Sequence, residues 1–151
     1  GAPIFGWVSD RIGRRRAPLL IGLLLETVAL AVVVYIPGLP MPVLVGTCFL
    51  VGFFGSSQII CFALVRENHS PTLSGTAIGF LNGMVTGAGA LFQPLVGLLL
   101  DLVWSGQTSA GARVYLAEDY RIALALLLVC CVAGFFFLLA VRETYCRPQT
   151  A

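Results

Sequence analysis

The chain has 151 residues, 58% of them hydrophobic and 11% charged, with a mean hydropathy of +0.96. A soluble domain carries about 25% charged residues, so the composition argues against a soluble fold and points to an all-α membrane protein. The net charge of +2 comes from nine basic residues, all arginine, against seven acids. No arginine cluster alternates with exposed aromatics, so a bilayer is the expected partner and nucleic acid is not.

Residues 1–9 read as the end of one span, and residues 17–36 as a full span. Twenty helical residues cover about 30 Å, the thickness of the hydrocarbon core. Pro37-Gly38-Leu39-Pro40-Met41-Pro42 breaks the helix without adding charge. Residues 43–65 form the next span and end at Arg66-Glu67. Ser70-Pro71 or Ser74 starts a long helix over 72–104, because Ser caps well and Pro fits the first turn. That helix is longer than a straight span needs, so tilt is expected, or a kink at Pro94. Residues 105–120 are a polar loop, 121–141 the last span, and Arg142 to Arg147 a short tail. The result is four full transmembrane helices plus the end of a fifth. Arg11, Arg14, Arg15, Arg16, Arg66, Arg142 and Arg147 fall on one side and only Arg113 and Arg121 on the other. By the positive-inside rule the first side, with the C-terminus, is cytoplasmic.

The five cysteines show neither a C-x-x-C pair nor a metal-ligand spacing, so they read as small hydrophobes, with no metal or cofactor implied. His69 reads as a solvated loop residue, and Glu118, Asp119 and Arg121 as a solvated external cluster. Trp7, Trp104 and Tyr35 fall at expected interfaces, where amphipathic rings anchor spans.

Polar residues inside spans carry the functional reading. Asn82, Thr86, Gly89 and Gln93 share one helix face at 3.6 residues per turn, which suits a water-filled cavity or interhelical hydrogen bonding. Pro94 frees the carbonyl of Ala90 beside them. Thr47, Phe54 and Gln58 share a face by the same arithmetic, an aromatic beside an amide as in small-molecule sites. Gly75, Gly79, Gly83 and Gly87 recur every four residues and form a smooth ridge for a packed or sliding helix. Glu26 is the one acid in the middle of a span, a proton-coupling group or a protonated structural one. Asp101 is a weaker coupling candidate near a helix end. No Ser/His/Asp set, metal cluster or phosphate loop supports an enzyme.

The first connection reads Gly6-Trp7-Val8-Ser9-Asp10-Arg11-Ile12-Gly13-Arg14-Arg15-Arg16. Gly6 permits close helix approach, Gly13 a left-handed turn, and Asp10 can accept from a neighbouring helix N-terminus. With Arg11, Arg14, Arg15 and Arg16 these residues form a G-x-x-x-D-R-x-G-R-R-R loop that resembles the cytoplasmic loop signature of major facilitator superfamily transporters. The resemblance covers essentially the whole chain. It implies a helical bundle in which two six-helix halves enclose a solute path, working by alternating access as a secondary active carrier, without a cofactor.

Such a loop occurs in either half, and an N-terminal half is the alternative. Three features favour the C-terminal half, from the end of the eighth span to the twelfth. The chain stops soon after its last span, residues 43–65 lack the arginine often found in the family's fourth span, and residues 93–101 resemble an eleventh span. The N-terminal half of the same polypeptide is then an implied partner, with part of the binding site. Ser56-Ser57-Gln58, Ser74-Gly75-Thr76-Ala77, residues 92–97, Gly111-Ala112-Arg113-Val114-Tyr115 and residues 142–146 are also similar to the phagosomal-transporter type of proteobacterial permease. That type implies proton-driven symport of amino acids or nucleosides across a bacterial inner membrane. A solute receptor without flux is the other reading, but it needs a large output segment that the short tail does not supply.

Overall fold

Glycine and proline placement divides the chain into helices. The computed structural model describes residues 1–109 and 112–148. Helix α1 (Ala2–Ile12) ends where Gly13 turns left-handed at φ 68°, its N–H donating to the carbonyls of Ser9 and Asp10. Only glycine takes that conformation without a steric cost. Helix α2 (Arg16–Tyr35) follows directly and ends before Pro37-Gly38.

Helix α3 (Met41–Gly55) begins with proline at its first turn. A single 3-10 turn (Ser56–Gln58) separates it from α4 (Ile59–Asn68). A 3-10 turn thus lies within the stretch read as the span 43–65. The stretch Met41–Asn68 is long and apolar enough to cross a membrane, but its hydrogen-bond pattern changes in the middle. The change of turn also breaks the rotational arithmetic that placed Phe54 and Gln58 on one face.

Helix α5 (Pro71–Leu102) runs 32 residues, about 48 Å at 1.5 Å per residue, straight through Pro94. A two-residue hairpin, β1 (Thr108–Ser109) and β2 (Ala112–Arg113), lies in the following loop; Gly111 falls outside the described residues. Helix α6 (Ala117–Ala140) closes the order. Asp119 is buried, and its Oδ2 accepts the Leu116 N–H at 2.8 Å. This corrects its reading as part of a solvated cluster: it caps α6, where the helix dipole favours an anion.

Four helical stretches are long and apolar enough to span a bilayer: Arg16–Tyr35, Met41–Asn68, Pro71–Leu102 and Ala117–Ala140. Helix α2 packs along α3 and α6, and α5 touches α4 and α6. The tightest core gathers Phe5 of α1, Leu19 of α2, and Ile60 and Leu64 of α4, with Phe53, Phe54, Leu138 and Val141 against it. This core sits at the arginine-rich end. Elsewhere the surface is apolar and exposed, as for Phe49, Phe80, Leu91 and Phe137, which suits hydrocarbon on the outside.

Candidate functional site

Three places carry polar chemistry: the arginine-rich end, the opposite end, and the faces of α5 and α2 within the apolar zone.

At the arginine-rich end, Arg15 is the hub. Its Nε and Nη2 donate to Glu67 Oε1 at 3.0 and 2.6 Å. Its Nη1 donates to Asp10 Oδ1 at 2.5 Å and to Ser9 Oγ at 3.0 Å. Ser9, fully buried, donates its hydroxyl to the Arg14 carbonyl at 2.9 Å. Thr144, also fully buried, donates to the other oxygen of Glu67. Burial works against the Arg15 charge, but the bonds to Glu67 and Asp10 outweigh it and hold the guanidinium protonated far above neutral pH.

Glu143 completes the cluster from just beyond α6. Its Oε1 accepts the backbone N–H of Arg15 at 2.7 Å and its Oε2 that of Arg16 at 3.0 Å. These are orphan donors of the first turn of α2, and a carboxylate there also faces the positive end of the dipole. Burial pushes the Glu143 carboxyl up, yet backbone donors from Arg15, Arg16, Tyr145 and Thr144 bring it below the usual carboxylate range.

The loop residues thus divide. Gly13 makes the left-handed turn, and Asp10 pairs with Arg15 rather than with a helix N-terminus; Glu143 has that role instead. Arg11 stacks over Trp7 at 5.3 Å, Arg14 is exposed, and Gly6 has open space where a side chain would be. Sequence spacing alone does not point to Glu67, Ser9, Glu143 or Thr144 as partners of the loop. A run of three arginines does not reveal which one turns inward. The one signal was a glutamate immediately after the last span.

At the opposite end, the loop folds back on α5. Arg113 Nη1 donates to Asp101 Oδ1 at 2.7 Å, and Tyr115 donates its hydroxyl to the same oxygen at 2.5 Å. The Arg113 guanidinium lies 4.9 Å over the Trp104 ring, whose Nε1 bonds the carbonyls of Gln107 and Val114. The Asp101 hydrogen bond and charge hold Arg113 protonated and raise the Tyr115 phenol. Asp101 is therefore half of an ion pair.

Within the apolar zone, α5 has no buried residue. Asn82, Thr86 and Gln93 are all exposed and accept or donate no side-chain hydrogen bond among the described residues. The ridge of Gly75, Gly79, Gly83 and Gly87 is equally open, with nothing within 4 Å of a Cβ at any of the four. Gln58 is exposed in the 3-10 turn, whereas Phe54 leans on the core, 5.5 Å from the Phe53 ring in a T-shaped pair. Glu26 is half-buried on α2, against Gly55 at the end of α3. Among the described residues no group of three or more metal-ligating side chains converges.

No curated protein and no solved structure matches the chain. A family model described as Major Facilitator Superfamily matches residues 1–149. With the match running over nearly its whole length, and four helical stretches among the described residues long and apolar enough to span a bilayer, this integral membrane protein belongs to the major facilitator superfamily, a family of transporters.

Proposed function

We propose that the chain is the C-terminal half of a secondary active transporter that moves a small polar solute by alternating access, driven by protons. The observation that carries this reading is the face of α5. Two amides and a hydroxyl, Asn82, Gln93 and Thr86, stand exposed on one side of a spanning helix with no partner among the described residues. An amide left unpaired in hydrocarbon costs several kcal/mol, about 2–7 depending on the reference state. Water or a polar solute facing those residues removes that cost, and Gln58 adds a third amide from the α3–α4 break. Helices of the other half complete the enclosure across the open glycine ridge, and its close, smooth contact suits rocking between inward-open and outward-open states.

The C-terminal assignment is supported by the likeness of residues 93–101 to an eleventh span and by the absence of an arginine within α3. The arginine-rich end is cytoplasmic on this reading, in a bacterial inner membrane, and amino acids and nucleosides are the first solutes to test.

The test is uptake of radiolabelled amino acids and nucleosides by liposomes holding the full-length protein, with and without an inward proton gradient. Accumulation that needs the gradient and weakens in Asn82→Ala and Gln93→Ala supports the proposal. Equal accumulation with the gradient collapsed removes the proton drive, and solute binding without flux favours a receptor.

A further inference from the structure

We propose that Glu26 and the α3–α4 break form a proton-sensitive hinge, in which the charge on Glu26 sets the geometry of the 3-10 turn at Ser56–Gln58. The inference rests on the proton-driven reading above and locates its conformational element. It draws on where this fold has no room.

A Cβ fits without conflict at most of the described glycines, and it fails to fit at three: Gly1, Gly22 and Gly55. All three lie at the same break. Gly1 abuts Ser56 and the Phe53 carbonyl, Gly22 abuts Ser57, and Gly55 abuts the Glu26 carboxyl. Gly22 and Glu26 are one turn apart on α2, so they share a face and meet the break at successive levels. Ser57 is almost fully buried as a result. A Cβ on Gly55 would stand 2.8 Å from Glu26 Oε1, so the carboxyl rests directly on the backbone where the α-helical pattern stops.

That position gives one proton a structural effect. A carboxylate only accepts hydrogen bonds, whereas a protonated carboxyl also donates one. The helix changes from α to 3-10 pairing beside Gly55, where the Ser56 N–H donates to the Gly52 carbonyl and the Ser56 hydroxyl to the Phe53 carbonyl. Glu26 has no hydrogen bond among the described residues, so its state is not already committed elsewhere. The neighbours facing it are few. From α3 comes the Gly55 backbone, from α6 comes Cys131 with Cys130 beside it, and Thr27 on α2 bonds its own helix at Leu23. No arginine faces it to fix its charge, since all nine lie in the loops, the hairpin, the tail or within five residues of a helix end. A proton arriving on Glu26 removes the charge from the Gly55 backbone, adds a donor there and favours the 3-10 form of α3–α4. Its departure leaves an anion on the glycine backbone and favours another arrangement.

The break carries Gln58 on its exposed side and continues into α4, whose Glu67 binds Arg15. A change of turn at Ser56–Gln58 therefore moves both an amide of the proposed solute face and a member of the arginine-end cluster. Glu26 acts through the break and is a positioning residue, touching no solute itself.

The experiment is amide hydrogen exchange on the full-length protein in lipid nanodiscs at pH 5.5 and 8, corrected for intrinsic rates. In the wild type, protection of residues 56–60 is expected to differ between the two pH values by about tenfold. In Glu26→Gln that difference disappears, while protection of α6 stays the same. Gly55→Ala, which displaces the carboxyl, abolishes the difference as well, and the two variants together separate a switch from misfolding. A wild type whose break shows no pH response, or a Glu26→Gln variant that keeps the full response, overturns the proposal. Neither outcome depends on solute transport, so failure of the hinge and failure of the transporter reading are told apart by exchange and by flux.

Discussion

The Arg15 guanidinium binds Glu67 through two nitrogens, Nε at 3.0 Å and Nη2 at 2.6 Å, and so ties the start of α2 to the end of α4. Both side chains are almost withdrawn from solvent, at 10% and 12% exposure. Removing one member leaves the other charge buried, a change that costs about 3–5 kcal/mol where burial is complete. Arg15→Ala is expected to lower the thermal midpoint in detergent well below that of Arg14→Ala, whose side chain is exposed. Equal midpoints for the two variants contradict the hub.

Glu143 confers pH dependence. Its folded-state carboxyl titrates below the usual range, so its contribution is fully present above the ordinary glutamate value near ~4.3 and is lost as pH falls through the lower folded value. Wild-type stability should fall more steeply than that of Glu143→Gln on acidification below about pH 4.5. At neutral pH the variant loses charge-assisted bonds to two helix N–H groups, about 1–2 kcal/mol. Melting curves across the pH range check both statements.

Gly13 and Gly75 should behave oppositely on substitution by alanine. At φ 68°, a Cβ on Gly13 costs about 1–2 kcal/mol. Gly75 is helical with open space around it, so Gly75→Ala leaves this chain's stability unchanged or slightly raised. If the ridge is a sliding contact, the same change slows transport. Gly22→Ala meets Ser57 and should destabilise by about 1–3 kcal/mol, the usual effect of overpacking.

What the sequence revealed follows from physical range. Hydropathy and breakers are local, so α2, α5 and α6 were legible to within a few residues from apolar runs and proline or glycine alone. The 3-10 turn at Ser56–Gln58 was not, because nothing in Gly55-Ser56-Ser57 stops a helix; glycine and serine tolerate several turns, and contacts from Gly1, Gly22 and Glu26 select this one. Glu67 and Glu143 lie far apart in the chain and meet through Arg15 and Thr144. Asp119 looked solvated by composition, and only its place at the start of α6 makes it a cap.

The ion pair at the opposite end is expected to matter little for stability. Arg113 and Asp101 are about half exposed, so solvent screening leaves the pair little to add to stability. Arg113→Ala should barely shift the thermal midpoint while releasing the hairpin from α5, seen as faster amide exchange at Val114, whose N–H bonds the Gln107 carbonyl.

The amide face of α5 is the central claim, and thiol labelling reads it without knowing the solute. With the five native cysteines replaced by alanine, single cysteines are placed at Asn82, Gln93 and Phe80 of the full-length protein in liposomes. Phe80 lies about 160° around the helix from Asn82. A membrane-impermeant maleimide is predicted to label Asn82→Cys and Gln93→Cys and to spare Phe80→Cys. Labelling of Phe80→Cys with protection at the two amide positions would place water on the wrong side of α5 and contradict the account.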